Sequence, residues 1–444
     1  MALETQSLNI LSEAIERLEE GFSNLPDHDV ELDLSGLRTV IFEAAEKMHD
    51  NFPYHHPLYA GQMLKPPHAI ARLAYMLAMW INPNNHALDG GRASSAMEKD
   101  AVAGIAQMFG WKTHLGHLCG GGTMANLEAL WVSGRLNPGK KVVASEQAHY
   151  THNRISEVLH LPFQSIPCDS RAKMDIDALE KVLENGNVGT VVATLGTTAA
   201  GSIDPLPEII ELKTQYGFRL HVDAAYGGYF LLADNLDAAA RSAFDRIGEA
   251  DSIVIDPHKH GLQPYGCGCV LFKDPAVGKF YNHTSPYTYF SSAEMHLGEI
   301  SLECSRAGAS AVALWATLRM FPLQPHGKFA QGLENSRKAA LALFEKIRSD
   351  QRFLTAFPPE LDIVIWVPRL EKASEISARS NEIFETAARK NLHLAIASFP
   401  KTMLVDNWDI EWDQEQVACL RSCLMKAEHM DWVERIWQIL DEVC

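Results

Sequence analysis

The stretch Asp256-Pro257-His258-Lys259 constrains this chain more than any other, read together with His221-Val222-Asp223-Ala224-Ala225 upstream. Each is led in by an apolar run of strand character, Ser252-Ile253-Val254-Ile255 and Arg219-Leu220-His221-Val222. Comparable runs at 141–144 and 190–195 alternate with helical patterns. That alternation predicts an α/β fold whose mostly parallel central sheet is covered on both faces. A sheet of this kind gathers its chemistry at the carboxyl ends of its strands. The two motifs therefore bring a lysine and an aspartate to strand ends.

A lysine so placed can form a Schiff base, and an aspartate can face a pyridine nitrogen. Those are the two contacts that pyridoxal 5'-phosphate (PLP) chemistry most needs. Cys119-Gly120-Gly121-Gly122-Thr123 offers an anion cradle: bare glycine backbone, then exposed N–H groups at the start of a helical pattern. Thr123 and Asn126 add side-chain donors, and Ala225 is small enough for a ring to lie against the backbone. His149, in Glu146-Gln147-Ala148-His149-Tyr150-Thr151, follows another strand and can stack on that ring. Singly, each residue has a plainer use. The glycines suit a tight turn without ligand, and Asp223 a helix N-cap. Lys259 suits an exposed loop, and His149 or His258 a hydrogen-bonded histidine. Their joint occurrence at strand ends favours the cofactor.

The chain has 444 residues, enough for two domains. The pattern predicts an N-terminal helical segment at 1–55, a large cofactor-binding domain at 56–320 and a small C-terminal α/β domain at 321–444. A formal charge of −17 disfavours a nucleic-acid partner, because phosphate binding needs a basic surface. No apolar run approaches the roughly 20 residues that span a bilayer, so no membrane role is expected. The first residues lack a basic n-region and an apolar h-region, so export is not expected either. Cys267 and Cys269 are too close for ordinary disulfides, and Cys419 and Cys423 fall on a predicted helix. No Cys/His cluster has zinc spacing, so no metal is expected. Reduced thiols in a cytoplasm are the simplest expectation.

With these motifs the chain resembles the PLP-dependent amino-acid decarboxylases of the glutamate/aromatic-L-amino-acid/histidine decarboxylase superfamily. The resemblance implies the aspartate-aminotransferase-like fold, PLP fold type I. Gly121-Gly122-Thr123-Met124-Ala125-Asn126 is similar to the family's phosphate segment, and Ala148-His149-Tyr150-Thr151 to its ring-stacking histidine motif. Leu195-Gly196-Thr197-Thr198 resembles a further signature and implies Thr197 near the ring. Asp223 and His258-Lys259 match the pyridinium aspartate and the Schiff-base lysine. Asp256 stands where relatives can contact the phosphate, or else orients His258. Glu303-Cys304-Ser305-Arg306 resembles a late segment whose neighbourhood reaches the partner subunit's phosphate, implying a homodimer with shared sites and a role for Ser305. Gly120, His260 and Arg92 depart from residues common in relatives.

The implied reaction is decarboxylation of an L-amino acid to its amine. Tyr287 lies where relatives carry a loop tyrosine that protonates Cα; packing at a dimer interface is the other use of that aromatic-rich segment. Asn84-Asn85-His86 resembles the part that lines the substrate side chain, with His55, His56, Tyr59 and Arg92 nearby. So polar a wall leans toward a polar or acidic substrate, although these residues equally suit surface loops. A carbon–carbon (retro-aldol) lyase or an aminotransferase, with Arg306 as its carboxylate clamp, is the alternative on the same fold. A non-catalytic scaffold is the alternative of another class.

Overall fold

A computed structural model describes residues 5–26, 30–282 and 295–444. Seven strands make the central sheet: β1 (Leu115–Cys119), β2 (Lys141–Ser145), β3 (Phe163–Ile166), β4 (Val188–Thr194), β5 (Arg219–Asp223), β6 (Ser252–Ile255) and β7 (Gly268–Phe272). Their spatial order is β1-β7-β6-β5-β4-β2-β3, and β7 alone runs against the others. Every residue of β4 and β6 is buried. Continuous Val/Ile runs therefore sit where helices cover both faces. β1 and β3 escape the apolar-run criterion, because Gly116 and His117 interrupt one and Gln164 and Ser165 the other.

Four further strands form an antiparallel sheet: β8 (Phe353–Thr355), β9 (Ile363–Pro368), β10 (Ala395–Pro400) and β11 (Gln416–Cys423), in the order β10-β11-β9-β8. The helices Lys328–Ser349, Ala373–Arg389 and His429–Val443 accompany it. One expectation changes here. Cys419 and Cys423 lie in β11, not on a helix. Val417, Leu420 and Leu424 repeat at helical spacing, but the strand is covered on both faces, so this spacing carried no information. β10 begins at Ala395, and the backbone before it is tied to residue 60, Ala60 N–H donating to His393 O.

The register fixes the site. Thr194, Asp223 and Val254 lie side by side on β4, β5 and β6. Beyond them the backbone stays zipped, with Leu195 N–H donating to Asp223 O and Asp256 N–H to Ala225 O. The segments carrying aspartate and lysine thus leave the sheet held together. At the N-terminus, helix Thr5–Glu20 packs on helix Ala69–Met79, whereas helix Leu34–Lys47 buries none of its residues. No described helix is long and apolar enough to cross a membrane.

Candidate active site

At these strand ends opens a cavity of about 510 Å³, a size typical of small-molecule sites. Asp223 forms part of its wall, nearly buried. Its Oδ2 accepts from His152 Nε2 at 2.9 Å and from Asn126 Nδ2 at 3.1 Å, and its Oδ1 from Ala225 N–H at 3.1 Å. Burial alone would raise this carboxyl's pKa. The hydrogen bond and electrostatic pull of His152, the Lys259 ammonium and the Ala225 amide outweigh it and hold Asp223 well below the usual range. Since Asn126 donates to Asp223, its carbonyl must accept from His221 Nε2 (2.8 Å), and His221 Nδ1 in turn accepts from Ser252 Oγ (2.9 Å). The relay leaves little freedom to Asp223.

Lys259 enters the same cavity, its Nζ 3.2 Å from Asp256 Oδ2. Asp256 is buried, its Oδ2 also lies 3.6 Å from His258 Nε2, and its Oδ1 has no hydrogen-bond partner. His258 Nδ1 donates to Cys267 O at 2.8 Å, which fixes its ring. His149 lines the cavity half-buried. Thr151 N–H and Thr151 Oγ1 both donate to its Nδ1, leaving the neutral ring's proton on Nε2. Burial lowers its pKa, with Asp223 partly opposing, so the uncharged ring is favoured.

The glycine turn forms the far wall, where Gly121, Gly122 and Thr123 open the helix Gly122–Leu136. Gly121 has φ 148°, and a Cβ on Gly122 would stand 2.8 Å from Asp256 Oδ2. Side chains are thereby excluded from the cradle. Gly120 N–H donates to Glu303 Oε2 at 3.2 Å, so a carboxylate already occupies an amide at the turn.

The sequence profile of the pyridoxal-dependent decarboxylase conserved domain matches residues 124–367, more than half of the chain. The chain belongs to the pyridoxal-dependent decarboxylase family. The decarboxylase is 27% identical to an L-tyrosine decarboxylase of Enterococcus faecium, over 85% of this chain and 79% of that protein. It is 30% identical to an L-2,4-diaminobutyrate decarboxylase of Acinetobacter baumannii, over 64% and 63%. It is 28% identical to an L-aspartate decarboxylase of Thermococcus kodakarensis, over 63% and 72%. Among solved structures it superposes on mouse CSAD with a TM-score of 0.78 at 19% identity, covering 96% of this chain and 91% of that one. On Oryza sativa TDC with PLP and tryptamine the TM-score is 0.77 at 17% identity, covering 100% and 99%. These likenesses bear out the type I fold.

The decarboxylase's residues fit its PLP cofactor. An ionised carboxylate stands ready for a ring nitrogen, Ala225 adds no bulk, and the cradle has no room for a Cβ. Gly121, Gly122, Thr123, Asn126, His149, Asp223, Ala225, Asp256, His258 and Lys259 meet at one cavity.

Other expected residues lie outside this cavity. Thr197 is fully buried within its turn, its Oγ1 accepting from Ser202 N–H, and Thr194 and Thr198 line the cavity instead. Ser305 lies beside the cavity, accepting from Asn84 Nδ2. Of the expected substrate wall, none of Asn84, His86, His55, His56, Tyr59 and Arg92 lines it. Asn84 Oδ1 accepts from His86 N–H and Arg306 N–H, His86 packs against Gly298, His56 against Trp432, and Tyr59 beneath Lys426. His55 borders a second cavity, and Arg92 is exposed. Arg306 Nη1 pairs with buried Glu98 at 2.8 Å and donates to Leu118 O, while its Nε and Nη2 have no hydrogen-bond partner. Tyr287 lies outside the described residues. His152, Tyr226 and Glu303 were missed; His152 carries a signal, standing one helical turn beyond His149.

Proposed function

We propose that the decarboxylase acts on an L-amino acid with a polar or acidic side chain, through Lys259, Asp223, His149 and Tyr287. The carrying observation is the ionised Asp223 carboxylate in the same cavity as the Lys259 ammonium. Bound PLP supplies a sink for the electron pair left on the substrate Cα when the carboxyl group departs. Lys259 would hold the ring covalently, and the glycine turn with Thr123 would hold the phosphate. Asp223 would keep a proton at the ring nitrogen through a charge-assisted hydrogen bond. His149 would lie against the ring, with its Nε2 proton available to the substrate carboxylate. Met124, Leu127, Tyr226 and Tyr265 give the cavity apolar surface that excludes water as charge leaves the carboxylate. The Tyr287 hydroxyl then delivers a proton to Cα.

Two features support the substrate class. The relatives named above include decarboxylases of aspartate and of 2,4-diaminobutyrate as well as of tyrosine. Arg421 is buried, with Nε donating to Ala199 O and Nη1 to Gly61 O, while its Nη2 has no partner. Ala199 follows Thr198 of the cavity wall, and Arg421 itself does not line the cavity, so its positive charge acts on an anionic substrate from behind that wall. The assembly is a homodimer. Helix Leu34–Lys47 exposes Leu37, Val40, Ile41 and Phe42, an apolar face that a second subunit would cover. Ser305 would then serve the partner's phosphate.

The test is a screen of standard and common non-standard amino acids for carbon dioxide and amine. Fastest turnover is expected from a polar or acidic substrate and slow turnover from tyrosine and tryptophan. A clear aromatic preference would overturn the substrate class, and keto-acid formation would point to the aminotransferase alternative.

A further inference from the structure

A second cavity, of about 450 Å³, lies between residues 65–72, the helix Lys328–Ser349 and residues 426–428. Lys65, Arg72, Lys328 and Lys426 line it against a single carboxylate, Glu428, on a chain whose formal charge is −17. Lysines are rarely buried without a counter-charge. Lys426 is 4% exposed, and its Nζ donates to Tyr59 O at 2.6 Å. Lys65 faces the cavity and its Nζ reaches Met425 O at 3.5 Å. Both hydrogen bonds end on carbonyl oxygens, and among the described residues neither ammonium forms an ion pair. Each ammonium has three donors; among the described residues each makes one hydrogen bond, and Lys426 also lies over the Tyr59 ring.

We propose that this cavity binds a small anion carrying phosphate or carboxylate groups, held by Lys65 and Lys426 with Arg72 and Lys328 at its mouth. Burial pulls both lysines down to about 8; Asp362 and then Glu428 oppose this at Lys65, and at Lys426 the thiol of Cys423 and Glu428 oppose it while Lys65 adds to it. An anion would restore both to full charge. Lys259 does not line this cavity, and no step of the decarboxylation uses either lysine. The two cavities nevertheless share a wall. Tyr226 of the cofactor cavity donates to Asp362 at 2.5 Å, Asp362 lies 3.3 Å from His260 Nε2, and His260 faces the second cavity.

The test is calorimetric titration of the PLP-loaded enzyme, whose cofactor cradle is filled, with inorganic phosphate and separately with malonate. Saturable binding of at least one of them, at one per chain, is expected. It should weaken at least tenfold in Lys426→Met and in Lys328→Glu, the second an exposed position where folding is not at stake. Glu428→Gln should bind more tightly, a gain that a packing role for the lysines does not produce. The stronger of the two probes identifies the ligand as a phosphate ester or a carboxylate. Absence of saturable binding to the folded holoenzyme, or equal affinity in wild type, Lys426→Met and Lys328→Glu, overturns the proposal.

Discussion

His152 Nε2 stands 2.9 Å from Asp223 Oδ2, and neither side chain is appreciably exposed. A lone buried carboxylate would take up a proton; this one is held ionised by its neighbours. The electron sink of the decarboxylase thus depends on a histidine that never has to touch the substrate.

Asp223→Asn should keep the fold and some cofactor yet lose about two or more decades in turnover, because a neutral amide cannot stabilise a pyridinium charge. Single-turnover kinetics on protein with measured PLP content checks this. Near-normal rates at full occupancy would place the charge partner elsewhere.

Gly122→Ala should weaken PLP retention, by about tenfold or more. The added methyl meets the Asp256 carboxylate at the helix start, where the phosphate is to be bound. Equilibrium dialysis against PLP measures it. Unchanged affinity would mean that the phosphate sits away from this turn.

Acid should destabilise the fold through His221. Burial first, and then the neighbouring His152, hold its pKa at about 3 against an ordinary 6.5. Between those values the unfolded chain binds a proton that the folded chain refuses. The stability is present in full above about pH 6.5 and is lost as pH falls, at about 1.4 kcal/mol per pH unit for one proton. The depressed carboxyl of Asp223 acts in the same direction at lower pH. Denaturant unfolding between pH 7 and 5 should therefore show a shallower pH slope in His221→Gln than in wild type. Identical slopes would remove His221 from the explanation.

Much of this site was legible in the chain because its chemistry depends on a few side chains fixed by strand ends. Asp223 ends β5, and Lys259 and His149 follow β6 and β2 within a few residues, so finding the strands located them. Thr197 and Thr198 are adjacent, and which of them faces the cavity depends on a turn closed by Ser202, which composition does not reveal. His152 stands three residues beyond His149, but its partner, Asp223, lies 71 residues away, so only the fold shows what it serves. The expected substrate wall lies away from this cavity for a related reason. Local polarity marked Asn84 and His86, but long-range contacts to Ser305, Arg306 and Gly298 decide where that segment sits. The last strand was lost because the spacing of Val417, Leu420 and Leu424 suits a helix and a fully covered strand equally.

The central claim is that Lys259 is the residue to which the cofactor is joined. Borohydride reduction of the purified enzyme, followed by digestion and peptide mass spectrometry, tests it most directly. The account predicts a phosphopyridoxyl group on the peptide containing Lys259, and its loss, together with the visible absorption band, in Lys259→Ala. Labelling of a different lysine, or a reduced enzyme carrying no cofactor after incubation with PLP, would contradict it.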